Sequence, residues 1–408
     1  MSHLCTAQRI GAQVSLPVRT EGNAVRASSL HSEEATGWKT ALHCLALSAL
    51  ISIGNAADWP MHRGAPSLNG LASVPAPASA VLKWSFMSGK PVKGGVAIAD
   101  SRVFFGDDGG VVHALELSTG KELWSFKTEA AIEATPLLLD GLCIIGSSDG
   151  FLYALDALSG EKKWQHKTED KILGGANWAP SADGQSKLVL FGGYDFSLYA
   201  LEAKTGLVVW KFATDNYING TPAVTSNQEI IFGGCDALLH VVMAKDGKEV
   251  RQISADAYIP GSAATDGNMA YFGNHANQVY AFDVSNGNAK WKYRDRNFPF
   301  FSSPALGSDV VVIGGHDKRL HCIERETGAA RWVFATRGKI DSSPVLCSDG
   351  GIVVGSEDGS LYCVELADGK ERWRYEIGSA VSGSPAVVEK TVVIGAEDGG
   401  VYCVGEKE

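Results

Sequence analysis

From residue 81 onward the chain is a succession of short apolar or alternating runs cut by turns that carry Gly, Asp, Asn or Ser. Leu152-Tyr153-Ala154-Leu155 alternates as a strand with one buried face does, and Val/Ile-rich runs ending in Gly suit strands covered on both faces. No amphipathic helical spacing follows Trp84. The pattern therefore predicts many short strands joined by tight hairpins.

Those strands repeat. A small residue, an acid two positions on, a Thr-Gly or similar pair, and then a tryptophan recur as Ala114, Glu116, Thr119, Gly120, Trp124 and as Ala154, Asp156, Ser159, Gly160, Trp164. Ala200 to Trp210, Ala281 to Trp291, Cys322 to Trp332 and Cys363 to Trp373 follow the same spacing. One copy, Val241, Met243, Asp246, Gly247 and Arg251, has lost its tryptophan. Counting Trp84, the slots fall at 84, 124, 164, 210, 251, 291, 332 and 373, in steps of 40 to 46 residues. Each unit reads as four strands, the first with Ser/Thr-Pro near its start, as in Thr135-Pro136 and Ser303-Pro304. Four strands per unit of this length is a propeller blade, so the expected fold is all-β, an eight-bladed β-propeller. After Trp373 only three strands remain, and residues 81–86, with Trp84, supply the missing outer one. The ring is expected to close by an N-terminal strand joining the C-terminal blade, which leaves no open sheet edge.

The pattern Ala-x-Asp/Glu-x-x-Thr-Gly-x-x-x-Trp resembles the tryptophan-docking repeat of proteins related to pyrroloquinoline-quinone (PQQ) dehydrogenases. The opening Trp59-Pro60, Arg63-Gly64 and Asn69-Gly70 resembles the lead-in of exported members of that group. The resemblance implies that Trp84, Trp124, Trp164, Trp210, Trp291, Trp332 and Trp373 pack structurally between blades. It also implies one of two roles. One branch is enzymatic and holds the quinone with calcium, an adjacent-cysteine disulfide and an Asp base; the other, BamB-like, has only repeats and serves as a binding platform. This chain has no Cys-Cys pair and no long inserts between repeats, so the non-catalytic branch is expected, with PQQ and calcium disfavoured and no cofactor assigned.

Composition refines this picture in two places. The net charge of -10 (36 Lys plus Arg against 46 Asp plus Glu) argues against the clustered cations that a nucleic-acid surface needs. Residues 1–57 read as a leader and signal peptide: Lys39 precedes an apolar run, residues 41–53, too short to span a bilayer, and Gly54 and Ala56 precede a cleavage before Ala57. Residues 58–80 read as a lead-in and 81–408 as the propeller, with no transmembrane span in the mature chain. The expected location is periplasmic or secreted, and the expected partner another envelope or secreted protein, or an extended ligand.

Candidate chemistry is sparse. Cys322, Cys363 and Cys403 sit in the small-residue slot and read as buried hydrophobes, and no cysteine has metal-ligand spacing. No nucleophile elbow or His-rich motif appears, so no catalytic residue and no metal ligand are assigned. In an up-and-down blade, the turn between the second and third strands shares one end with the loop entering the next blade, so these loops ring a single mouth. The residue before each turn Asp places Asp107, Tyr194, His316, Glu357 and Glu397 there, with His275; the acids form a candidate arc, though such turn acids are commonly just solvated. Trp178, Tyr217, Tyr258, Phe298, Phe300 and Phe301 are expected in the entering loops, with the extra residues of the longest blade beside Trp178. Lys93 and Lys339, in equivalent loops, would pair with the acids or hold an anionic ligand. Aromatics at a concave mouth suit a peptide, a glycan or a flat ligand.

Overall fold

The computed structural model describes residues 58–406. The expected leader, its apolar run and the cleavage before Ala57 lie outside the described residues. No described helix is long and apolar enough to cross a membrane.

Every described element is a strand, and the strands form eight four-stranded antiparallel sheets. Blade 1 runs Ala97–Ala99, Arg102–Gly106, Val111–Glu116 and Glu122–Lys127 from the axis outward, and blades 2 to 7 repeat that order. Blade 8 takes three strands from the C-terminus and its outermost, Val81–Met87, from the N-terminus. There Trp84 lies opposite Cys403 and Phe86 opposite Val401. The sheet order and ring closure read from the repeats are those observed.

The repeat motif has a geometric cause. In each blade that has it, the tryptophan pairs across strands with the small residue: Ala114 with Trp124, Ala154 with Trp164, Cys322 with Trp332, Cys363 with Trp373. The register slips immediately beyond that pair, a bulge that turns the indole out of the sheet toward the next blade. There the indole N–H donates to a turn carbonyl, Trp84 to Leu117 O at 2.7 Å, Trp164 to Ala203 O at 3.0 Å and Trp332 to Leu366 O at 2.8 Å. The glycine of that turn admits the ring face: a Cβ on Gly206 would stand 2.6 Å from Trp164, and φ there is +70°. Arg251 stands in the vacant slot and docks the same way, its guanidinium donating to Val284 O (3.2 Å) and Ser285 O (2.8 Å). The cysteines of the small slot are buried, and burial pushes the Cys322, Cys363 and Cys403 thiols up to about 12.

The Ser/Thr-Pro hydroxyls, with Ser262 in the equivalent position before Ala263, join neighbouring blades around the axis. Thr135 Oγ1 accepts from Gly95 N, Ser262 Oγ from Thr221 N, Ser303 Oγ from Ser262 N, Ser343 Oγ from Ser303 N and Ser384 Oγ from Ser343 N, at 2.9–3.2 Å.

The lead-in is bonded into the ring. Trp59 exchanges both backbone bonds with Ile98 of blade 1, and the carbonyls of Pro60, Pro66, Ser67, Asn69 and Gly70 accept from Leu138, Val224, Thr265, Leu306 and Leu346 in turn. The segment thus visits the inner strands of successive blades and buries Met61, Arg63 and Leu68 between them. It then supplies Pro77 O, which accepts the Trp373 indole N–H at 2.7 Å. In blade 8 no turn joins the third strand to the fourth, since they come from opposite parts of the sequence, so the lead-in provides the carbonyl that such a turn gives elsewhere.

Candidate functional site

The mouth expected from strand parity exists. Each second-to-third-strand turn bonds through its backbone to the loop entering that blade, as in Ser148 N to Ala131 O, Tyr194 N to Lys171 O, His275 N to Tyr258 O and Glu397 N to Ala380 O. The axial channel narrows below this rim to a cavity of about 180 Å³. Its walls are mainly the glycines, serines and threonines of the inter-blade joints, and His62 of the lead-in lies at its floor. Burial, with the Arg63 charge beside it, lowers the His62 imidazole to about 3. Burial likewise lowers Arg63 to about 9; this guanidinium donates to Pro304 O at 3.0 Å, and no carboxylate among the described residues is bonded to it.

The rim has two contrasting halves. Across blades 3 to 6 it is aromatic. Tyr194 and Tyr217 stack at 4.5 Å between ring centroids, Phe196 leans on Tyr217 at 5.1 Å, and Lys171 lies over the Tyr194 ring at 4.4 Å. Tyr258 meets His275 edge-on at 6.1 Å, His275 packs on Phe301 at 4.7 Å, and Phe301 packs on His316 at 4.1 Å. Tyr258 is 50% exposed and Phe298 48%, so the arc offers ring surface to solvent.

Across blades 7, 8 and 1 the rim is ionic and internally paired. His316 Nε2 meets Asp341 Oδ1 at 2.5 Å, and Lys339 reaches both Asp341 and Glu357 at 2.9 Å. Burial alone would raise the Asp341 carboxyl, yet the hydrogen bonds from His316 and Lys339 hold it below the ordinary range. Glu397 accepts from Ser382 Oγ at 3.0 Å, and Lys93 pairs with Asp108 at 2.6 Å. Of the expected acids, Glu357 and Glu397 are therefore neighbours around the rim, one tied to a lysine and the other to a hydroxyl.

Three residues lie elsewhere than expected. Asp107 is buried, 1% exposed, and faces His113 at 3.3 Å; Asp108 holds the rim position, because Gly109 stands where most other blades have the turn Asp. Phe300 is 2% exposed: it fills the apolar slot that Ile340 fills in the next blade, pressing where a Cβ on Gly273 would stand 2.4 Å away. Trp178 belongs to the inner strand Asn177–Pro180, under Lys187 at 4.9 Å, close to the lead-in and away from the rim. The extra residues of blade 3 form the turn around residues 181–186, at the far end. Gly175-Ala176, and not Pro180, occupies the Thr135-Pro136 position, which misplaces any alignment made on proline. Phe196, Asp341 and His62 escaped sequence reading. Phe196, at φ +64°, takes a turn position usually held by Gly, which was its available signal.

The family model described as outer membrane protein assembly factor BamB matches residues 73–211, 194–339 and 316–407. No curated protein matches the sequence. Among solved structures, BamB from Moraxella catarrhalis is 18% identical with a TM-score of 0.67, over 80% of this chain and 99% of that one. The quinohemoprotein alcohol dehydrogenase of Comamonas testosteroni is 13% identical with a TM-score of 0.73, over 86% and 81%. The computationally designed Ika8 protein is 16% identical with a TM-score of 0.69, over 81% and 99%. At these identities the structural likeness speaks to the fold alone.

Proposed function

The chain belongs to the BamB family of PQQ-type repeat propellers, and from that premise we propose that it is an exported, non-catalytic scaffold that binds another envelope protein across its mouth. The observation that carries this reading is the exposed aromatic arc from Tyr194 to Phe301. Stacked, preordered rings at a concave rim lose little entropy on binding and serve as anchors for an extended protein segment. The paired charges of the opposite half would limit orientation more than they would add affinity.

The quinone reading fares worse on fit. A pocket for a flat cofactor normally offers roughly 300–1,000 Å³, whereas the axial cavity holds about 180 Å³, with His62 closing its floor. Phe301 is the one aromatic besides His62 among the residues lining it.

The test is site-specific photocrosslinking in the producing cell, with the probe placed at Tyr217, Tyr258 or Phe298 and, for comparison, at Leu158, which is exposed on a third-to-fourth-strand turn. The expected result is one adduct of common mass from the three rim positions and none from Leu158, lost when Tyr194 is also replaced by Ala. Equal adducts from Leu158, or stoichiometric calcium-dependent binding of PQQ by the purified chain, would overturn the reading.

A further inference from the structure

Where a turn Asp precedes the third strand, it has a regular set of partners. In blade 2, Asp149 accepts Phe151 N on one oxygen, and on the other both Tyr153 OH (2.8 Å) and Glu129 N (3.0 Å) from the loop entering the blade. Blade 7 repeats this with Asp358, Ser360 N, Tyr362 OH and Arg337 N. Blade 4 has histidine in place of the tyrosine, and Asp236 still uses both oxygens, on Leu238 N and His240 Nε2.

Blade 3 keeps Tyr199 OH and Glu169 N on Asp195 Oδ2 but leaves Oδ1 without a partner, and blade 6 departs further, because no loop N–H reaches its turn Asp and a second carboxylate lies beside it. Asp317 Oδ1 meets His321 Nε2 at 3.1 Å, while Oδ2 is buried with no hydrogen-bond partner, although the side chain is only 3% exposed. Its entering loop is one residue longer: Trp291 to Phe300 is nine positions, against eight from Trp332 to Ile340. In place of a backbone N–H, that loop brings a second carboxylate, Asp295. Donor atoms of Asp295, Asp317 and His321 all lie within 4.8 Å of one another. One cation faces the pair: Arg319 Nη1, 2.9 Å from Asp295 Oδ2. Arg294 is engaged instead with Asn297. A buried carboxylate oxygen without a donor, beside a second carboxylate, is costly unless a cation joins them.

We propose that Asp295, Asp317 and His321 form a binding site for a divalent transition-metal ion, with zinc the best match to its ligands. One imidazole nitrogen with two carboxylate oxygens is a zinc-type donor set, with a fourth position open to water; calcium and magnesium prefer oxygen alone. His321 Nδ1 lies 2.9 Å from Tyr293 OH, so in the tautomer with Nδ1 protonated the N–H donates a hydrogen bond to the phenol oxygen and Nε2 is free to coordinate. Asp295, on the surface loop, supplies the adjustment that brings the donors to bonds of about 2 Å, keeping its other oxygen on Arg319.

The experiment uses the untagged chain, stripped with EDTA, dialysed against zinc chloride and measured for bound metal, with cobalt chloride as a spectroscopic probe. One zinc per chain is expected, with affinity falling roughly tenfold or more in Asp295→Asn and in Asp317→Asn, and a cobalt spectrum without a thiolate charge-transfer band. Should Asp317→Asn fold poorly, Asp295→Asn decides, since its side chain is at the surface and its ion pair is with Arg319 alone. No retained zinc, equal zinc in wild type and Asp295→Asn, or a thiolate-to-cobalt band would overturn the site.

Discussion

Arg251 separates the two contributions that a docking residue makes. The tryptophans bring a large apolar face and one N–H; Arg251 brings hydrogen bonds to the same kind of turn with far less apolar contact. Replacing Trp164 by Ala should therefore cost about 3–5 kcal/mol, the usual range for a buried aromatic, while Arg251→Ala should cost about 1–2 kcal/mol, the net value of two partly exposed hydrogen bonds. Chemical denaturation of the two variants measures this, and equal losses would show that the bonds, not the rings, hold the blades together. His62 makes a second residue-level prediction. An unfolded imidazole takes up its proton near pH 6.5, whereas burial delays the native one to about 3. Between those values the unfolded chain binds more protons, so stability is present above pH 6.5 and is lost as pH falls through the window. Thermal melts at a series of pH values should show a shallower acid loss in His62→Asn than in wild type; parallel curves would mean that His62 is solvated at the channel floor.

Among the elements, the lead-in differs from every blade: it has no repeat, yet its carbonyls occupy backbone donors of inner strands around the axis. Deleting residues 58–76 would uncover Leu138, Val224, Thr265, Leu306 and Leu346 N–H groups and empty the space filled by Met61 and Leu68. At about 1–3 kcal/mol for each orphaned donor, the loss reaches the roughly 5–15 kcal/mol that holds a typical domain folded. The shortened chain is expected to lack a cooperative thermal transition by circular dichroism. A transition at the wild-type temperature would show that the blades close without this segment. The third-to-fourth-strand hairpin, by contrast, was fully legible, because the small slot, the acid, the glycine and the tryptophan each answer a local need of one bulged turn.

At the scale of the molecule, closure places the first and last blade strands in one sheet, where Val81 pairs with Gly405 and Met87 with Gly400. The arithmetic of strands after Trp373 was enough to require it. Closure also makes the rim continuous, so an aromatic half and an ionic half can face each other although their residues are scattered from Lys93 to Glu397.

The sequence alone determined the repeat, the number of blades, the closing strand Val81–Met87 and the end of the ring on which the loops gather, because these follow from a period repeated many times, in which single irregularities cancel. It placed Tyr194, Tyr217, Tyr258, His275, Phe298 and His316 on that end for the same reason. Only the tertiary structure decided which residue of a given turn faces the mouth. A one-residue difference, as at Asp107 and Asp108 or in the longer loop before Phe300, exchanges a buried side chain for an exposed one and leaves the period unchanged. It alone also decided the path of the lead-in and the meeting of Asp295 with Asp317 and His321, since segments without a repeat take their positions from the surfaces they pack against and not from their own pattern.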